Sequence, residues 1–192
     1  MTTDDVLRSR GWPLPVRLTR RLEEATILDD YEPVPRKVAD ALVASRGRRQ
    51  LLQGEWLGHA LHPLLTDLPL GAWIGTAVLD LAGGKQSRPA ATKLLTFGVG
   101  AALPTAITGL AEWARVTDAP TRRVGLVHAA LNVSALVLYS GSLIARRRGQ
   151  HRFGVVLGLG GGLVAGASGH LGGHMSLARK VGSRHPAFDG AP

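Results

Sequence analysis

Four apolar stretches, each about as long as a membrane-crossing helix, dominate the sequence. They cover residues 62–82, 90–112, 124–145 and 153–174. A helix needs ~20 apolar residues to cross a hydrocarbon core of ~30 Å. Short polar links join the stretches, so neighbouring helices must run antiparallel. The sequence therefore predicts an all-α fold, a four-transmembrane-helix up-down bundle.

The same stretches argue against a soluble helical protein. A soluble helix has one apolar stripe and one charged face. No charged residue lies between Leu94 and Ala111, and the only strongly polar side chains between Val124 and Ala145 are His128 and Asn132. We therefore expect a multi-pass protein of the cell membrane, in contact with the lipid bilayer.

The charged residues divide the chain into three parts. Residues 1–50 form a polar, partly helical N-terminal segment with an amphipathic helix, residues 51–182 the four-helix membrane domain, and residues 183–192 a disordered tail. The net charge of +9 would suit nucleic acid. However, the basic residues of the membrane domain lie in short loops beside apolar spans, where topology and anionic lipid explain them. No nucleic-acid partner is expected.

The basic residues also bear on orientation. Four crossings bring both termini to one side, where nine basic residues flank the helix ends, against seven on the other side. This small excess favours cytoplasmic termini. Asp80 is expected to be solvated at a helix end, and Arg146, Arg147 and Arg148 to meet lipid headgroups.

Five of the seven histidines are expected at one membrane interface. In an up-down bundle, the starts of the first and third spans and the end of the fourth share one side. Glu112 and Asp67 are expected on that side too, and Asn132 follows His128 at helical spacing. Ionisable groups in a membrane normally face the bundle interior and have a function. The five histidines are His59, His62, His128, His170 and His174.

Glycines recur every four residues along the fourth span. Gly158, Gly162 and Gly166 continue towards His170 and His174 in one stripe. Small residues at this spacing permit close helix packing or leave room for a flat cofactor. We regard Asp67, Asn132 and these three glycines as residues that support the histidine cluster.

Three functions fit this cluster. The first is electron transfer with haem b, whose axial ligands come from His62, His128, His170 and His174. The second is a divalent metal site, with zinc or iron; its ligands would come from His59, His62, Glu112, His128, His170 and His174. The third is a structural or assembly subunit, in which the histidines form only a polar network and the glycines dock another helix.

The chain contains no cysteine, which removes several kinds of chemistry. Disulfides, thiolate metal sites, a thiol nucleophile and a covalently attached c-type haem are excluded. There is also no nucleophile motif, phosphate-binding loop or complete metalloprotease motif. The sequence leaves open whether the protein is an enzyme.

Four sequence segments carry a family resemblance. They are LQGEWLGHALHPLLTDLPLGAWIGTAVLDL (residues 52–81), TGLAEW (108–113), HAALNVSALVLYS (128–140) and GHLGGHMS (169–176). In this order they resemble the bacterial membrane family called domain of unknown function 2231. Ala60 departs from the family, which often has proline there.

The resemblance implies a four-helix membrane domain without an assigned activity. Some relatives carry a Rieske-type iron–sulfur domain, for which this chain lacks the cysteines. By analogy, the resemblance favours electron transfer, with a Rieske-type protein or a quinone as redox partner; fold alone does not fix function. Homo-oligomers are a further alternative.

Overall fold

The computed structural model describes residues 11–182, and this part of the chain is helical without strands. Three short helices come first: α1 (Leu14–Glu24), α2 (Pro33–Leu42) and α3 (Arg46–Gln53). Four long helices follow: α4 (Leu61–Ala82), α5 (Arg88–Trp113), α6 (Ala119–Arg147) and α7 (His151–Gly173). A π-helical turn, His174–Ala178, extends α7. Single 3₁₀ turns occupy Thr26–Tyr31, Glu55–Leu57 and Lys85–Ser87.

The four long helices confirm the predicted transmembrane bundle. Each is long and apolar enough to cross a membrane. Helix α4 packs mainly on α5 and α6 mainly on α7, while contacts between α5 and α6 and between α4 and α7 close the ring. Helices α4 and α6 thus run in the same direction and face each other across the bundle.

Helices α5 and α6 extend beyond the apolar stretches predicted for them, and the start of α6 has a side-chain cap. At the start of α6, the Asp118 carboxylate accepts a hydrogen bond of 3.0 Å from the Thr121 amide. Helices α5 and α6 also have a proline in the first turn. Proline suits this position because the first backbone N–H groups of a helix have no acceptor within the helix, so no hydrogen bond is lost. Capping of this kind carries α6 five residues upstream of the apolar stretch predicted from residue 124.

A compact aromatic pair occupies the middle of the bundle. Trp73 of α4 and Tyr139 of α6 stack with ring centroids 4.1 Å apart and planes inclined by 16°. Leu95, Ala102 and Ala165 belong to the same buried cluster. The neighbouring helices approach the two rings closely, since a Cβ added at Gly98 would lie 2.5 Å from Trp73 Nε1.

The N-terminal helices are docked on the bundle. Arg36 of α2 donates to the carbonyl oxygens of Ala114 (3.0 Å) and Val116 (3.3 Å). Gln53 of α3 is fully buried and donates to the Ala111 carbonyl oxygen at 2.8 Å. Helix α3 crosses the domain boundary predicted at residue 50, and the tail predicted for residues 183–192 lies outside the described residues.

Candidate functional site

The interior of the bundle is built from two equivalent helical hairpins. Three residues of α4 each meet the residue of α6 that lies sixty-six positions later: His62 and His128, Trp73 and Tyr139, and Asp80 and Arg146. Residues of α5 correspond to the residues of α7 that lie sixty-three positions later. For example, the Thr105 carbonyl accepts from His62, and the Ser168 carbonyl accepts from His128. The α4–α5 hairpin therefore corresponds to the α6–α7 hairpin.

His62 and His128 face each other across the bundle. Their ring centroids are 6.4 Å apart and their planes are inclined by 84°. The Nδ1 atom of His62 is 2.9 Å from the Thr105 carbonyl oxygen, and Nδ1 of His128 is 2.9 Å from that of Ser168. Because a carbonyl oxygen can only accept, Nδ1 of each ring carries the hydrogen and Nε2 keeps its lone pair in the neutral imidazole.

Glycines on the other two helices make room for these rings. A Cβ added at Gly109 of α5 would lie 2.8 Å from His62, and one at Gly172 of α7 would lie 3.1 Å from His128. The two glycines occupy equivalent positions of the hairpins. The Asn132 side-chain amide nitrogen lies 3.0 Å from His128 Nε2, so this ring nitrogen accepts a hydrogen bond.

His170 and His174 contact the N-terminal helix instead of this pair. His170 Nε2 is 3.3 Å from the Thr19 hydroxyl, and His174 Nε2 is 2.8 Å from the Glu23 carboxylate. Arg179 donates to the same oxygen of the Glu23 carboxylate, and its Nε lies 2.7 Å from that oxygen. These two histidines therefore hold α1 against the bundle.

The Glu23 carboxylate is a buried anion, 2% exposed, surrounded by cations. Burial by itself raises its pKa, but hydrogen bonds from Arg179, His174 and Arg20 outweigh burial and lower the pKa below the ordinary value of 4.5. A carboxylate with a lowered pKa stabilises the folded state above its ordinary pKa, and this stabilisation is lost as the pH falls through the lowered value.

We therefore expect acid to weaken the docking of α1. The contribution of Glu23 to the melting temperature in detergent should stay constant down to about pH 4.5 and decrease at lower pH. The Glu23→Gln variant should melt at a lower temperature near neutral pH and lack this acid-dependent loss. Glu24→Gln, which changes an exposed neighbour, should follow the parent protein. Identical pH profiles for the parent and Glu23→Gln would contradict this role.

The remaining predicted ligands are dispersed. His59 and the exposed Asp67 line an open pocket that Ser176 and Lys180 also line, whereas Glu112 is buried at the end of α5. Within residues 11–182, no group of three or more histidine and carboxylate side chains is arranged to hold a metal ion. The six residues predicted as metal ligands do not meet in this part of the chain.

The glycines of the predicted stripe lie beside different side chains. Added Cβ atoms at Gly158 and Gly162 would meet the Ser142 hydroxyl at 3.3 Å and the Tyr139 hydroxyl at 3.4 Å, while Gly166 has nothing within 4 Å. None of these contacts involves a histidine. The glycines beside the imidazoles are Gly109 and Gly172, which the sequence reasoning did not select.

A buried ion pair lies at the opposite end of the bundle. Arg146 donates two hydrogen bonds to Asp80, one of 2.8 Å, and the two side chains are 1% and 3% exposed. The predictions that Asp80 is solvated and that Arg146 meets headgroups are wrong. Their position sixty-six residues apart, matching the histidine and aromatic pairs, was the signal in the sequence. Gly154 leaves space for the Arg146 stem.

Comparison with known proteins adds the family. A family model described as predicted membrane protein (DUF2231) matches residues 58–185, which is more than half of the chain. No curated protein and no solved structure gives a significant match. The matched region contains α4 to α7 and both hairpins. The chain therefore belongs to the DUF2231 family of predicted membrane proteins.

Proposed function

We propose that this protein binds haem b between His62 and His128 and transfers electrons in the membrane. One observation carries the proposal: two imidazoles on facing helices, each fixed through Nδ1 by a backbone carbonyl, meet with 6.4 Å between ring centroids. Ligand histidines are commonly oriented by such a bond, which leaves Nε2 for the metal. Paired histidines on facing helices of a bundle suit haem ligation.

His62 and His128 would hold the haem iron, one imidazole from each of the two facing helices. The two imidazoles pack directly against Gly109 and Gly172, where any larger side chain would meet the rings. Binding through His128 Nε2 requires the Asn132 amide to release its hydrogen bond.

The number of available ligands favours haem over a bare divalent ion. Structural zinc is bound by four ligands and catalytic zinc by three protein ligands. The described residues supply His62 and His128 but no third nearby histidine or carboxylate. Haem would need only two ligands from the protein, because the macrocycle supplies the others. The same proposal includes a redox partner, which is either a quinone or a Rieske-type protein. It also places both termini in the cytoplasm.

The alternative is a structural or assembly subunit whose histidines form a polar network. A specific observation favours it: both ring nitrogens of His128 already have hydrogen-bond partners, Ser168 and Asn132. Such a network satisfies buried polar groups and needs no cofactor. Gly166, Gly169 and Gly173 have open space beside them, where another membrane helix could approach.

An absorption spectrum of the detergent-purified protein tests the proposal. After expression with an adequate haem supply, we expect a Soret band, and sharp α and β bands after dithionite reduction. His62→Ala and His128→Ala should each lose most of the bound haem. His59→Ala, which changes a histidine outside the pair, should retain it.

Two results would reject haem ligation by this pair. One is a folded protein that remains colourless. The other is a haem spectrum unchanged in both His62→Ala and His128→Ala. Metal analysis of the same sample identifies a divalent ion if one is bound. A colourless and metal-free protein favours the assembly role.

A further inference from the structure

Helix α1 packs mainly on α6 and also contacts the end of α7. Thr19 contacts His170 and, one turn later, Glu23 contacts His174. Both partners advance by four residues in the same direction, so α1 and the end of α7 run alongside each other for one turn. His170 and His174 belong to a helix that is long and apolar enough to cross the membrane. Helix α1 therefore flanks a membrane-spanning helix.

The side chains of α1 divide into three faces. Thr19 and Glu23 face the bundle and are buried. Leu14 and Leu18, one turn apart, form an apolar face that points outward, 59% and 49% exposed. Arg17 and Arg21, also one turn apart, form an exposed basic face. The face of α1 that packs on the bundle is therefore polar, with Thr19 and Glu23 buried, whereas Leu14 and Leu18 are exposed.

Further exposed apolar side chains lie before and after α1. They are Trp12 before the helix, two residues of the following 3₁₀ turn and two residues of α2 that are one turn apart. The residues after α1 are Ile27, Tyr31, Val34 and Val38.

We propose that this N-terminal surface lies in the interfacial layer of the bilayer. Leu14 and Leu18 contact acyl chains, and Arg17 and Arg21 bind anionic headgroups. The proposal does not depend on haem binding.

Lipid is the occupant for two reasons. First, α1 packs on α6 and contacts the end of α7, and both of these helices are long and apolar enough to cross the membrane, so the exposed leucines of α1 lie beside membrane-spanning segments. Second, an apolar face beside a row of arginines is the pattern of helices that lie in the membrane interface. Basic residues next to such a helix attract anionic lipid.

Site-directed spin labelling tests this directly, because the chain has no native cysteine. We would introduce Leu18→Cys and, as the matched control, Glu24→Cys, one on each outward face of α1. Each variant is labelled with a nitroxide and reconstituted in vesicles of phosphatidylcholine and phosphatidylglycerol. Leu18 and Glu24 are both exposed, so neither label disturbs a buried contact.

The expected result is a clear difference between the two sites. The label at residue 18 should collide more with oxygen, which concentrates in lipid, than with a water-soluble nickel chelate. The label at residue 24 should show the opposite preference. A residue-18 label that collides freely with the chelate would overturn the proposal. A label shielded from both reagents would also overturn it, and would indicate a protein partner or a second copy.

A second comparison tests the role of the arginines. Arg17→Gln combined with Arg21→Gln should reduce the oxygen preference of the residue-18 label in vesicles that contain phosphatidylglycerol. In pure phosphatidylcholine the same pair of changes should have a smaller effect. An equal effect in both kinds of vesicle would overturn the headgroup contact. Arg20 stays unchanged because it bonds Glu23 and helps to hold α1 in place.

Discussion

Replacing Asp80 by alanine is expected to destabilise the protein by about 3–5 kcal/mol, the usual cost of removing one partner from a buried ion pair. Arg146 would keep its charge in a position that is 1% exposed. Its remaining hydrogen bond, 3.2 Å to the Ser142 hydroxyl, cannot neutralise it. Water cannot easily replace the lost carboxylate, because the Asp80 side chain is only 3% exposed.

Thermal unfolding in detergent measures this loss, and two further variants identify its cause. Asp67→Ala removes an exposed carboxylate from the same helix and should leave the melting temperature nearly unchanged. Asp80→Leu combined with Arg146→Leu removes both charges and should recover most of the stability lost by Asp80→Ala. If Asp80→Ala melts like the parent protein, Arg146 is not buried as described.

Replacing Gly98 by alanine is expected to cost about 1–3 kcal/mol, the range of overpacked cores. The new methyl group would lie 2.5 Å from Trp73 Nε1, 2.7 Å from its Cδ1 and 3.2 Å from the Ala72 side chain. Trp73 must then shift, which disturbs its stacking on Tyr139 at 4.1 Å. The loss of the aromatic contact adds to the steric cost.

Two other glycines supply controls for this prediction. Gly100 lies on the same helix with nothing within 4 Å, so Gly100→Ala should be neutral or slightly stabilising because alanine favours helices. Gly161→Ala, at the equivalent position of the second hairpin, meets Tyr139 at 3.2 Å and should have an intermediate effect. Melting temperature and tryptophan fluorescence measure the changes. An equal response of Gly98→Ala and Gly100→Ala would contradict the tight contact.

The bundle could be predicted because length and hydropathy decide whether a segment crosses a membrane. Short links then leave only antiparallel neighbours. The inward stripes were also predictable from helical spacing: Thr105, Thr108 and Glu112 of α5 are buried, as are Ala135 and Tyr139 of α6. Helix ends were less predictable, because local caps such as Asp118 set them and hydropathy does not.

The partners of the histidines could not be predicted from their common side. The membrane side tells where a residue lies along the bundle axis, but the rotation of each helix about its own axis decides which neighbour the residue meets. His62 and His128 turn towards each other, whereas His170 and His174 turn towards α1. The docking of α1 was not foreseen, because its buried face is polar and a hydrophobic pattern does not reveal it.

The ion pair has a consequence for how the two hairpins recognise each other. The hairpins are equivalent at the histidine and aromatic levels, so packing alone would allow two copies of the first hairpin to associate. At the third level one hairpin carries Asp80 and the other Arg146. Two first hairpins would bring carboxylate against carboxylate, and two second hairpins guanidinium against guanidinium, in a site of low dielectric constant. Charge therefore favours the pairing of unlike hairpins over the pairing of like ones.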